Sequence, residues 1–502
     1  MDPRHVHGRR GRGERAAKTT LFVARTGRRG KEPDRPFHTD MPQQTLSPID
    51  NSLYVERELA TPAQIDTALE RARRVQRTWR DVSVTERAAI LSRFCEVFAA
   101  QSDTIALQLT WQMGRPIRYA PNEVRGTLER ARYMIAIAAE ALADVDAGPK
   151  PGLHRFIRRE PLGVVLTIAA WNYPYLIAVN SIVPALLAGN AVVLKHSAQT
   201  PLCAERFASC MAAAGLPSDL LQVLHLSHAD TEKVIRDPRI AFVAFTGSVA
   251  AGRAVQRAAA ERGIAAGLEL GGCDPAYVRQ DANLEHAIEN LVDGAYFNSG
   301  QSCCGIQRIY VHERLYDRFL DGFVALTRRY VLGNPLDADT TLGPLAKASS
   351  AQAVREQIAA SVAGGALPLL EESQFPLSRV GTAYLAPQVL VNVDHSMPVM
   401  RDEIFGPVAG IMKVPDDEAA IALMNDSVYG LTAAIWTSDE QAALDIGQRI
   451  DTGTWFMNRC DYLDPALAWV GIKNSGRGCT LSRLGYEHLT RPKSFHLRIA
   501  TP

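Results

Sequence analysis

Short apolar runs alternating with amphipathic stretches organise the middle of this 502-residue chain. Gly163-Val164-Val165-Leu166-Thr167-Ile168, Ala191-Val192-Val193-Leu194, Leu221-Gln222-Val223-Leu224 and Ala241-Phe242-Val243-Ala244-Phe245 are apolar almost throughout. Helical spacing fills the gaps, at 177–187, 201–214, 229–236 and 249–262. A strand with no polar face must be covered on both sides, which parallel strands joined by crossover helices achieve. A second alternating block runs from about 275 to 440. The expected fold class is α/β with parallel sheets.

The flanks follow other periods. Residues 61–115 are helical, with Thr61-Pro62-Ala63-Gln64 and Ser83-Val84-Thr85-Glu86 as capping boxes. Ile65, Ala68, Leu69 and Ala72 then recur at helical spacing. Ser494-Phe495-His496-Leu497-Arg498-Ile499 alternates as a half-buried strand does, with no local partner. His154-Arg155-Phe156-Ile157-Arg158-Arg159 is a second such pattern outside the main alternation.

Composition narrows the function classes. The net charge of +1 combines +6 in residues 1–40 with −5 in the rest, so the body gives no charge reason to bind nucleic acid. Residues 1–40 are Arg- and Gly-rich without apolar periodicity, which reads as a disordered basic tail. No run approaches the ~18–20 apolar residues a membrane span needs. Eight cysteines without C-x-x-C spacing predict neither a disulfide framework nor a metal site, and a reducing cytoplasm is expected.

Two segments carry chemistry. Phe297-Asn298-Ser299-Gly300-Gln301-Ser302-Cys303-Cys304 presents a thiol in a small polar turn, where substrate can approach the backbone. Leu268-Glu269-Leu270-Gly271-Gly272-Cys273-Asp274-Pro275 sets one carboxylate in an apolar run before a glycine pair. An apolar setting raises a carboxyl pKa, which suits a general base acting on water. Such a thiol and base could make and then hydrolyse a thioester.

Together with Ala170-Trp171-Asn172-Tyr173-Pro174, Phe245-Thr246-Gly247-Ser248 and Glu403-Ile404-Phe405-Gly406-Pro407, these runs resemble the aldehyde dehydrogenase superfamily over roughly residues 46–500. The resemblance implies a dinucleotide-binding domain from 41–143 and 162–269, and a catalytic thiol domain over 270–470. It also implies oligomerisation segments at 144–161 and 485–502 that form a small sheet bridging subunits of a homodimer or homotetramer. Cys303 is then the nucleophile, Asn172 an oxyanion donor and Glu269 the base for thioester hydrolysis. NAD or NADP would lie along Ile168, Trp171, Lys195, Gly247, Ser248, Gly252, Glu403 and Phe405. Cys304 is expected to point away and take no part.

The resemblance has departures. Ala198 stands where NAD-preferring relatives often carry a ribose-binding Glu, so NADP use is expected. Ala468-Trp469-Val470-Gly471 replaces the usual P-F-G-G, which reshapes the substrate tunnel. Tyr173, Phe297 and Trp469 are expected on its wall, and Phe297 replaces the arginine that often holds succinate semialdehyde. An aromatic tunnel without a cation would favour an uncharged aliphatic or aromatic aldehyde, such as hexanal or benzaldehyde, over succinate semialdehyde. The alternatives are a succinate-semialdehyde dehydrogenase, a CoA-acylating member, and an inactive structural or binding homologue.

Overall fold

The computed structural model describes residues 42–460 and 462–499. The expected basic tail at 1–40 lies outside the described residues.

Helices Pro62–Trp79, Val84–Ala99 and Ser102–Met113 form where the apolar spacing places them. At Thr61 both halves of the capping box are made. At Ser83 the hydroxyl accepts from the Glu86 N–H, and only that half forms. A fourth long helix, Ala120–Ala141, follows. These helices share one apolar core with the first large sheet, in which Leu69, Trp79, Phe94, Phe98 and Leu109 are fully or almost fully buried. The Trp79 indole N–H donates to the Leu186 carbonyl at 2.9 Å, tying the first helix to Pro174–Leu187.

That first sheet has six strands, ordered Gly476–Arg477, Ala265–Glu269, Ile240–Thr246, Val164–Ala169, Ala191–His196 and Leu221–Val223. All neighbours are parallel except the first pair. Every residue of Val164–Ala169 and Ala191–His196 is buried, as their continuous apolar character requires. Ile168 stands beside both Lys195 and Phe245, and Thr246 beside Glu269. The residues singled out for cofactor and base chemistry therefore share the carboxyl ends of adjacent strands, the usual ligand crevice of open parallel sheets.

The second sheet has seven strands, ordered Leu367–Pro368, Gln388–Val391, Val408–Val414, Ile306–His312, Asp274–Val278, Thr432–Trp436 and Thr454–Met457. Only its first pair is antiparallel. Four residues, 270–273, connect Glu269 at the end of one sheet to Asp274 at the start of the other.

The C-terminal strand does have a partner, far upstream. Thr490–Arg498 runs antiparallel to Leu153–Pro161, from Thr490 opposite Pro161 to Arg498 opposite Leu153. Phe156 stacks on Phe495 with ring centroids 4.6 Å apart, and the Arg158 guanidinium lies 5.0 Å from both ring centroids. Leu497 and Ile499 stay 44% and 72% exposed.

Candidate active site

The thiol turn is held by backbone geometry that few sequences tolerate. Helix Leu284–Tyr296 ends, and Asn298, Ser299 and Gly300 follow with φ of 54°, 56° and 70°. A Cβ at Gly300 would strike the Gly406 carbonyl, so only glycine fits there. Gln301 locks the turn: its Nε2 donates to the Asn298 carbonyl at 3.0 Å, and its Oε1 accepts from the Ala346 N–H at 2.8 Å. Cys303 is half-buried and opens onto a cavity, whereas Cys304 is buried with its sulfur 3.6 Å from Ser302 Oγ. Both cysteines border that cavity, although Cys304 is the more buried of the two.

Asn172 is buried, and its Nδ2 donates to the Gln301 carbonyl at 3.2 Å. An amide NH2 has a second hydrogen to give. Arg115, absent from the sequence reading, fixes the Asn172 backbone. Its Nη2 donates to the Asn172 carbonyl at 2.5 Å, its Nε to Asn298 Oδ1 at 3.0 Å, and its Nη1 pairs with Glu123. Glu123 Oε1 in turn accepts from the Tyr175 N–H at 2.9 Å. This buried pair ties Asn172 to the thiol turn. The sequence offered only Gly114-Arg115-Pro116 after a helix as its signal.

Glu269 faces the same cavity. Its Oε1 accepts from Thr480 Oγ1 at 2.5 Å and its Oε2 from Thr246 Oγ1 at 3.2 Å. Desolvation by the surrounding protein raises its pKa above the ordinary 4.5. The Thr480 and Thr246 bonds, and the charge of Arg130, pull the other way. Thr480 also exchanges both backbone bonds with Trp469, at 2.9 and 3.0 Å.

On the cofactor side, Trp171 and Phe405 meet edge to face at 5.7 Å. Glu403 accepts from the Gly272 N–H at 3.2 Å, and burial pushes its pKa up to about 7. A Cβ at Gly271 would strike the Glu403 carboxylate, so the glycine pair makes this approach possible. Ser248 caps helix Val249–Ala260, its hydroxyl accepting from the Ala251 N–H at 3.3 Å, one residue after Gly247. Lys195 is buried, with no ion pair among the described residues, and desolvation lowers its pKa. An unpaired ammonium, a capped helix start and two aromatic rings fit a dinucleotide with an anionic bridge. At Gly252, within that helix, a Cβ would collide with the Leu270 side chain, so a bare position also serves helix packing.

A cavity of about 470 Å³ brings the thiol turn and Glu269 together with the expected tunnel wall. Tyr173, Phe297 and Trp469 line it together with Cys303, Cys304 and Glu269. The expectation of a tunnel without a cation does not hold, because Arg125 and Arg130 also line this cavity. Both come from helix Ala120–Ala141 rather than from the thiol turn. Asn122, Glu129 and Asp293 add further polar groups to the wall.

A model of the aldehyde dehydrogenase family matches residues 38–495. The chain is 34% identical over 460 residues to an aldehyde dehydrogenase of Paenarthrobacter nicotinovorans, covering 90% of this chain and 98% of the relative. It is 33% identical to the NADP(+) succinate-semialdehyde dehydrogenase 1 of Mycobacterium tuberculosis, covering 90% and 99%. Among solved structures, the succinic semialdehyde dehydrogenase of Streptococcus pyogenes in complex with NADP+ superposes with a TM-score of 0.87. That structure is 29% identical and is covered over 91% of this chain and 99% of its own. The chain belongs to the aldehyde dehydrogenase family.

Proposed function

We propose that this enzyme oxidises an aldehyde to its carboxylic acid with NAD or NADP, through a thiohemiacetal and then a thioester on Cys303. The observation that supports this most is one cavity bordered by Cys303 and Glu269, with the Asn172 amide bonded to the thiol turn. Cys303 Sγ, as thiolate, adds to the aldehyde carbon. The second Asn172 Nδ2 hydrogen, with a backbone N–H of the thiol turn, receives the developing oxyanion. One such donor is worth about 2.7–4 kcal/mol to the transition state. The nicotinamide, when bound, supplies the acceptor for the hydride that leaves the thiohemiacetal carbon. Trp171, Lys195, Ser248, Glu403 and Phe405 would hold the dinucleotide, with Ile168 beneath it. Glu269 then takes a proton from water as that water attacks the thioester, and the acid departs with Cys303 restored.

A carboxylate held between two threonine hydroxyls beside the thiol supports hydrolysis over transfer to coenzyme A. Eight free thiols suit a reducing cytoplasm. Cys303→Ala should abolish turnover, while Cys304→Ala should keep most of it. Glu269→Gln should still release a burst of reduced cofactor in stopped flow and then turn over at least tenfold more slowly. A normal steady-state rate in Glu269→Gln, or acyl-CoA as the product when CoA is added, would overturn this function.

A further inference from the structure

Arg130 is a buried cation with donors to spare. It is 8% exposed, lies on helix Ala120–Ala141 and lines the cavity that holds Cys303 and Glu269. Its Nη1 donates to the Leu176 carbonyl at 2.9 Å and to Asn180 Oδ1 at 3.3 Å. Its Nε–H and Nη2 hydrogens have no partner among the described residues, and no carboxylate there lies within 4.0 Å of the guanidinium. The acids nearest in electrostatic effect are Glu269 and Glu123. Both are committed, Glu269 to Thr480 and Thr246, and Glu123 to Arg115 and the Tyr175 and Leu176 N–H groups. A guanidinium left without a counter-ion in a dry setting is costly to the fold, and its planar fork matches a carboxylate.

The rest of the wall gives the site a direction. Asp293 lies one helical turn before Phe297, and its charge bears on the Tyr330 phenol. Glu129 is engaged by the Tyr462 hydroxyl at 2.6 Å. Arg125 sits exposed on the same helix as Arg130, bonded to Asn122. An anionic tail is thus drawn toward Arg130 and away from Asp293.

We infer that Arg130 anchors a carboxylate of the substrate, so that the preferred aldehydes are short chains with an acid group at the end opposite the carbonyl. This rests on the aldehyde oxidation proposed above. Steady-state kinetics with 4-oxobutanoate and with pentanal, which replaces the carboxylate by an apolar end, test it in the native enzyme, Arg130→Met and Arg130→Lys. The native enzyme should favour 4-oxobutanoate. Arg130→Met should lower kcat/KM for that substrate about 100-fold, equivalent to about 2.7 kcal/mol, mainly through KM. It should change pentanal by less than about threefold, and Arg130→Lys should recover part of the loss. Equal losses for both aldehydes would overturn the anchor and make Arg130 an electrostatic support of Glu269. A second measurement needs no variant: succinate should slow iodoacetamide labelling of native Cys303 more than succinamide does, and equal protection overturns the proposal. Native enzyme that oxidises pentanal without preferring the acid rejects the anchor but leaves aldehyde oxidation standing. Enzyme that oxidises neither rejects both.

Discussion

Two hydroxyls hold the carboxylate of Glu269, and the shorter bond comes from a residue 211 positions away. Burial raises the pKa of this group, and each hydroxyl opposes the rise by stabilising the ionised form. Thr480→Val should therefore raise the pKa further, because only desolvation gains weight. The acid limb of kcat should move to higher pH, and turnover at pH 7 should fall severalfold where hydrolysis limits. A pH–kcat profile checks this, and an unmoved limb would show that Thr480 leaves the base unaffected. Cys303, Asn172 and Glu269 were legible in sequence because each sits in a short run with unusual neighbours. Thr480, Arg115 and Arg130 were not, because their meaning lies in partners that the fold alone brings near. Phe297 misled in a related way: the missing arginine of the thiol turn hid the one on another helix.

Apolar periodicity located most elements of the first sheet to within a few residues, since fully buried strands and one-sided helices leave clear patterns. Helix Ala120–Ala141 escaped it. Its inner face mixes small Ala131, Ala138 and Ala141 with buried Glu123, Thr127 and Arg130, which blurs the apolar stripe. The C-terminal strand was legible as a strand, and the family resemblance put it in one small sheet with the 144–161 segment, but its register against Leu153–Pro161 was not legible, because register across some 340 residues leaves no local trace. This small sheet carries partly exposed apolar ends, and among the described residues its outer edges have no further strand paired to them. Assembly into a homodimer or homotetramer through it predicts that truncation after Arg491 yields monomers or aggregate. Light scattering reads the result, and an unchanged assembly would move the interface elsewhere.

Across the whole molecule, the two large sheets are joined beside the site through Leu270, Gly271, Gly272 and Cys273, and the junction leads into a buried carboxyl. Asp274 is 1% exposed and accepts from Thr432 N–H and Oγ1 at 3.1 and 2.6 Å. Burial pushes its pKa up to about 8 from 3.8. The folded chain thus holds a proton that the unfolded chain releases, so this group's contribution to stability is lost as pH rises from 3.8 through about 8. The slope is at most about 1.4 kcal/mol per pH unit. Asp274→Asn should flatten it, and thermal unfolding between pH 6 and 9 should show a smaller fall in Tm than in the native enzyme. The pairing of Trp469 with Thr480 has a different kind of consequence. One residue lines the cavity, the other bonds the Glu269 carboxylate, and two backbone bonds make them a single piece. Selection for a new aldehyde at Trp469 would disturb hydrolysis as well, so lineages that keep this linkage should diversify their substrates from the opposite wall, along the helix that carries Arg125 and Arg130.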